Sequence, residues 1–160
     1  IDGIRARCRD DFTVGGRLSP ERFGMVLDDS VAIAKRLCSE GKIDFLDMSL
    51  WDVFKEPNEE EKQGKTLLSY FTEIDRKDVR LGIAGKIRTP DEAEQAFASG
   101  VDWIMLGRAA ILHHDFPKLM QEDPNFTPLD LPVTREHLAK EGLSEKFIEY
   151  MSSWKGFVAE

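Results

Sequence analysis

The chain has 160 residues, 41% of them hydrophobic and 32% charged, and a formal charge of −8. Its length suffices for one domain with a sizeable core, and its apolar runs are too short to cross a bilayer, so no membrane segment is expected. The acidic balance argues against broad electrostatic binding to nucleic acid or anionic lipid, while leaving room for a local basic pocket that takes one phosphate.

Ile1 to Arg7 reads as the last turns of a helix already under way, and no initiator Met precedes it, so residues 1–11 are expected to be the end of a preceding element in a longer protein. Cys8 and Cys38 show neither a CxxC pattern nor metal-ligand spacing, and are expected to be reduced thiols in a cytoplasmic protein. Phe12 to Leu18 is a strand candidate. Asp28 to Glu40 places Val31, Ala34, Leu37 and Cys38 at helical spacing and stops at Gly41. Ile43 to Leu50 is a short apolar run, followed by a loop from Trp51 to Gly64 in which Glu56 to Lys62 forms an acidic, solvated stretch. Lys65 to Arg76 reads as a helix with Leu67, Leu68, Phe71 and Ile74 on one side.

Val79 to Ala84 is the third strand, Gly85 to Thr89 a turn, and Pro90 to Ser99 a helix with proline in its first turn and Gly100 after its end. Val101 to Leu106 is the fourth strand, closed by Gly107. Residues 12–112 thus form four strand-then-helix units with a parallel sheet and right-handed crossovers, and residues 113–160 a helical tail. An open doubly wound sheet and half of an eight-stranded βα barrel both fit this order. Two short turns favour the half barrel. Gly85-Lys86 and Gly107-Arg108 follow consecutive strands, as in barrels that hold a phosphate on the loops after their last strands, and the GxGxxG of a dinucleotide fold is absent.

The strings VGGRLSP (14–20), DFLDMS (44–49) and AGKIRTPDEAEQAFASGVDWIMLGRA (84–109) resemble the C-terminal half of the old yellow enzyme family, FMN-containing NAD(P)H oxidoreductases on a (βα)8 TIM barrel. The tail VTREHLAKEGLSEKFIEYMSSWKGFV (133–158) is similar to the closing helices of a bacterial subgroup. The resemblance implies that Arg17 meets the N1/C2 edge of the flavin, where a guanidinium stabilises developing negative charge. It implies that Gly85, Lys86, Gly107 and Arg108 hold the flavin phosphate, and that Trp51 lines a substrate pocket. The reaction implied is hydride transfer from NAD(P)H through FMN to an electron-poor alkene or quinone. The substrate-activating residues of that family lie in its first half-barrel, so this half supplies no catalytic side chain, and the missing half or a second copy, in a homo-oligomer, is the expected partner.

Several alternatives stay open at this point. Arg17 also fits a structural ion pair, and either glycine turn fits an ordinary strand-to-helix connection. Trp51 also fits packing on its own loop. His113-His114-Asp115 reads as a surface turn, with no metal expected, and His137 as a packing or capping residue. Other phosphate-binding barrel enzymes, and a non-catalytic self-associating half-barrel module, share the glycine turns.

Overall fold

A computed structural model describes residues 1–159 and divides the chain into two compact units. The first comprises Ile1–Lys86 and Gln95–Met105; the second comprises Ile87–Glu94 and the residues from Leu106 onward. No helix among the described residues is long and apolar enough to cross a membrane.

The first unit is α/β. Its four-stranded sheet runs in the order β1 (Gly15–Leu18), β2 (Phe45–Ser49), β3 (Arg80–Ala84), β4 (Trp103–Met105). Every neighbouring pair is parallel. A single helical turn, α1 (Asp2–Arg5), precedes β1, and α2 (Leu27–Glu40) joins β1 to β2. Gly41 ends α2 in the left-handed conformation, at φ 62°, which costs glycine nothing because it has no Cβ. On α2, Leu27, Ala34 and Cys38 are buried.

Successive strand residues point to opposite faces, and the faces differ sharply. Leu46, Met48, Leu81 and Ile83 are 0–1% exposed and make the covered face. The other carries Gly15, Arg17, Phe45, Asp47, Ser49, Arg80, Gly82, Ala84, Trp103 and Met105, of which Asp47 and Gly82 are buried. Phe45 and Trp103 meet edge to face at 5.4 Å between ring centroids. Their rings lie where a Cβ on Gly15 and on Gly82 would stand, so glycine on one strand accommodates the aromatic of the next.

The strand starts share one device. Asp44 accepts the Val14 N–H through its side chain at 2.6 Å and donates its own N–H to the Val14 carbonyl. Asp102 does the same with Leu81, its carboxylate accepting at 2.7 Å. Each acid directly precedes one of the paired aromatics, so the sequence patterns Asp-Phe and Asp-Trp mark equivalent positions in two βα units.

One expected element is largely absent. The helix anticipated over residues 65–76 is a single turn, α3 (Ser69–Thr72). The apolar residues are nevertheless buried, with Leu67 and Phe71 at 0% exposure. Leu67 and Leu68 donate their N–H groups to the carbonyls of Lys55 and Val53, so the residues just before α3 are pinned to the preceding loop. That loop is not a free solvated run either. The Glu59 carboxylate accepts the Leu27 N–H at 2.9 Å, satisfying a donor at the start of α2 that would otherwise lack an intrahelical partner, and Lys62 pairs with Asp28.

α4 (Pro90–Ala98) follows β3 as expected. The second unit contains α5 (Arg108–Leu112), α6 (Phe116–Glu122), α7 (Arg135–Lys140) and α8 (Glu145–Ser152). Its core gathers Leu112, Val133, Leu138, Ile148, Met151 and Phe157. Thr134 and Ser144 cap α7 and α8 through their hydroxyls, and Val133 bridges Val158 in parallel.

Candidate functional site

Arg17 stands one residue before the end of β1, on the open face. Its neighbour across the ladder is Asp47, in the middle of β2. The Arg17 Nη1 lies 3.3 Å from Asp47 Oδ2, and Nη2 donates to Ser49 Oγ at 3.0 Å. The Arg17 side chain remains 52% exposed, whereas that of Asp47 is 6% exposed. Guanidinium carries five N–H donors, and these two anchors fix its plane while leaving others for a ligand. Asp47 Oδ1 is buried with no hydrogen-bond partner among the described residues. Burial pushes the Asp47 carboxyl above the ordinary aspartate range, against the pull of Arg17. The structure places Arg17 at the strand end expected of it and shows the ion pair that was one of its two readings, with Asp47 and Ser49 as partners the sequence analysis did not name. The available signal was an acid inside an apolar strand run, two residues from a serine on the same face.

Gly85 and Lys86 form the turn after β3, with φ of 157° and 50°. A Cβ on Gly85 would stand 2.9 Å from Asp52 N and from the Trp51 carbonyl carbon. Glycine is therefore required here because the loop after β2 presses onto it, with Leu50 donating to the Ala84 carbonyl and Val53 to that of Gly85. The Lys86 ammonium pairs with Asp52 at 3.0 Å, which commits its side chain to that loop. The backbone N–H groups of Gly85 and Lys86 have no protein acceptor among the described residues.

Trp51 opens the same loop at φ 63° with its ring 57% exposed. The Arg22 guanidinium lies 4.1 Å from its ring centroid, a cation–π contact between the loops after β1 and β2. The ring therefore does not bury itself in its own loop. Phe23, beside Arg22, is 89% exposed.

In the second unit, Gly107 precedes α5 with φ −95° and ψ −97°. A Cβ there would meet nothing within 4 Å, so crowding does not dictate glycine at this position. No side chain caps the start of α5, and the N–H groups of Gly107 and Arg108 donate to no protein acceptor among the described residues. Arg108 lines a pocket of about 410 Å³ together with Arg88, Thr89, Leu112 and the segment 127–131.

His113 departs from the surface turn expected of it: the ring is 8% exposed. Its Nε2 accepts the Leu129 N–H at 3.0 Å, and burial holds its pKa below the ordinary histidine value. His114 is exposed, and its Nδ1 and backbone N–H both reach Glu141 Oε2 at 2.8 Å. That hydrogen bond raises the His114 pKa and draws His114, Asp115 and Glu141 within 4.8 Å of one another, a grouping that sequence separation conceals. His137 Nε2 lies 2.8 Å from the Leu112 carbonyl, tying α7 to α5.

No family model and no curated protein matches the chain. Among solved structures, the RcsB response regulator of Salmonella typhimurium, described for its conformational dynamism in DNA interaction, is similar at 15% identity and TM-score 0.37, covering 89% of this chain and 76% of that one. A likeness at that TM-score carries no argument about fold or function.

Proposed function

We propose that the chain is the flavin-holding half of an FMN-dependent NAD(P)H oxidoreductase barrel of the old yellow enzyme type. The observation that carries the reading is the open sheet face with Arg17 fixed at its C-terminal edge by Asp47 and Ser49. A doubly wound sheet reverses its strand order at a switch point and covers both faces. Here the order is sequential and only one face is covered, the pattern of consecutive barrel units, in which the second face turns inward.

FMN, when bound, would supply the hydride carrier between NAD(P)H and an electron-poor alkene or quinone. The residues present fit that group. Arg17 offers a charged, planar donor set to the pyrimidine edge, held from behind by a buried acid. The turn Gly85-Lys86 in the first unit and, separately, the turn Gly107-Arg108 in the second each offer backbone N–H donors without a protein acceptor among the described residues, and the Arg108 guanidinium adds charge; their assignment to one phosphate rests on the family resemblance. The Lys86 side chain is assigned no phosphate role, since Asp52 holds it. Trp51, exposed beneath Arg22, is assigned to the substrate side.

Fluorescence titrations of FMN and of riboflavin into the chain test both contacts. FMN is expected to bind more tightly than riboflavin, and Arg17→Gln to weaken both by roughly ten-fold or more, the equivalent of about 1.5–3 kcal/mol for charge-assisted hydrogen bonds. Identical curves for the two flavins would remove the phosphate assignment. Indifference to Arg17→Gln would remove the flavin-edge assignment.

A further inference from the structure

The segment between Phe126 and Val133 walls the pocket that holds Arg88 and Arg108. Its ends are tied: Phe126 donates its N–H to Asp123 and packs edge to face on Phe116 and His113, while Val133 donates to Phe157. Between those ends, one backbone N–H among the described residues finds a protein acceptor. It belongs to Leu129, and the acceptor is His113 Nε2. An imidazole nitrogen accepts only when it carries no proton, so this contact requires neutral His113 with its proton on Nδ1.

We infer that His113 is a pH-operated latch on the 127–131 strap, closed when the imidazole is neutral and released when it is protonated, so that acid opens the pocket containing Arg88 and Arg108. Protonation turns the acceptor into a donor facing another donor inside a site that is 8% exposed. Two opposed N–H groups whose nitrogens stand 3.0 Å apart, too close for a water to bridge, cannot both be satisfied. The groups facing the ring set where this happens. Burial opposes the charge, Glu141 after α7 favours it, His137 on α7 opposes it, and Asp115 in the adjoining turn favours it. The net shift is downward, so the latch opens on the acid side of the ordinary histidine value of about 6.5. This inference does not depend on the flavin reading.

Amide hydrogen exchange followed residue by residue through a pH titration of the unmodified chain tests it. The Leu129 amide, corrected for its intrinsic exchange rate, is expected to be protected at neutral pH. Its protection is then expected to fall about ten-fold per pH unit below the His113 pKa, as one-proton linkage requires. The Val133 amide, bonded to the Phe157 carbonyl, should hold its protection over the same range. His113→Gln keeps an acceptor that does not titrate, and should leave Leu129 protection independent of pH. An unprotected Leu129 at neutral pH, protection that ignores the titration of the His113 ring, or simultaneous loss at Leu129 and Val133 would each overturn the latch.

Discussion

Asp47 shows how one residue can work against stability while arranging a site. Its carboxylate is buried with one oxygen unpartnered, and it faces a single guanidinium. A pKa raised in the folded state means that the folded chain binds more protons than the unfolded chain between the ordinary aspartate value, about 3.9, and the raised one. Stability contributed by this group therefore falls as pH rises through that window, the reverse of a carboxylate in a strong ion pair. Urea unfolding across that window is expected to show stability falling less, or rising more, with increasing pH in Asp47→Asn than in the parent chain. An unchanged pH profile would mean that the carboxyl is not strained by burial. The same variant should loosen Arg17, because an amide oxygen carries less charge toward the guanidinium than a carboxylate.

Elements show where local pattern suffices and where it fails. α2 was legible because its apolar spacing, its length and Gly41 agree with one another. β1 was anticipated over seven residues and forms over four, because the register with β2 begins only at Gly15. α3 was not legible as a single turn. The residues before it are tied to the preceding loop, Leu67 and Leu68 donating to the carbonyls of Lys55 and Val53, and no window of sequence reports a hydrogen bond to a loop twelve or more residues away. The same reason hid the Glu59 contact at the start of α2 and the place of His113 beneath the strap. The strand-end place of Arg17 was legible, whereas its partners Asp47 and Ser49 passed as part of an apolar run. Gly85 was singled out in the sequence for phosphate binding, whereas the structure gives glycine a packing reason there: the neighbouring loop occupies the space its Cβ would need. Gly85→Ala should accordingly destabilise the chain by about 1–3 kcal/mol through strain and displacement of that loop. Unfolding midpoints with an unchanged denaturant slope would measure it, and a neutral substitution would show that the two loops are not locked together.

At the scale of the whole molecule, a parallel sheet with one covered and one open face calls for something across that face, since parallel sheets are ordinarily buried on both sides. The aromatic pair of Phe45 and Trp103, the fixed Arg17 and the unpartnered Asp47 oxygen all lie on the open side. In the proposed reading, the other half of a barrel lies across that face, with FMN at the C-terminal edge of the strands. The most direct test is the visible absorption spectrum of the protein produced from its native gene, recorded before and after anaerobic addition of NAD(P)H. A flavin band that bleaches on reduction is the expected result. A folded protein that stays colourless even after FMN is supplied would contradict the flavin assignment and leave the open face to serve another phosphate-bearing ligand or a non-catalytic partner.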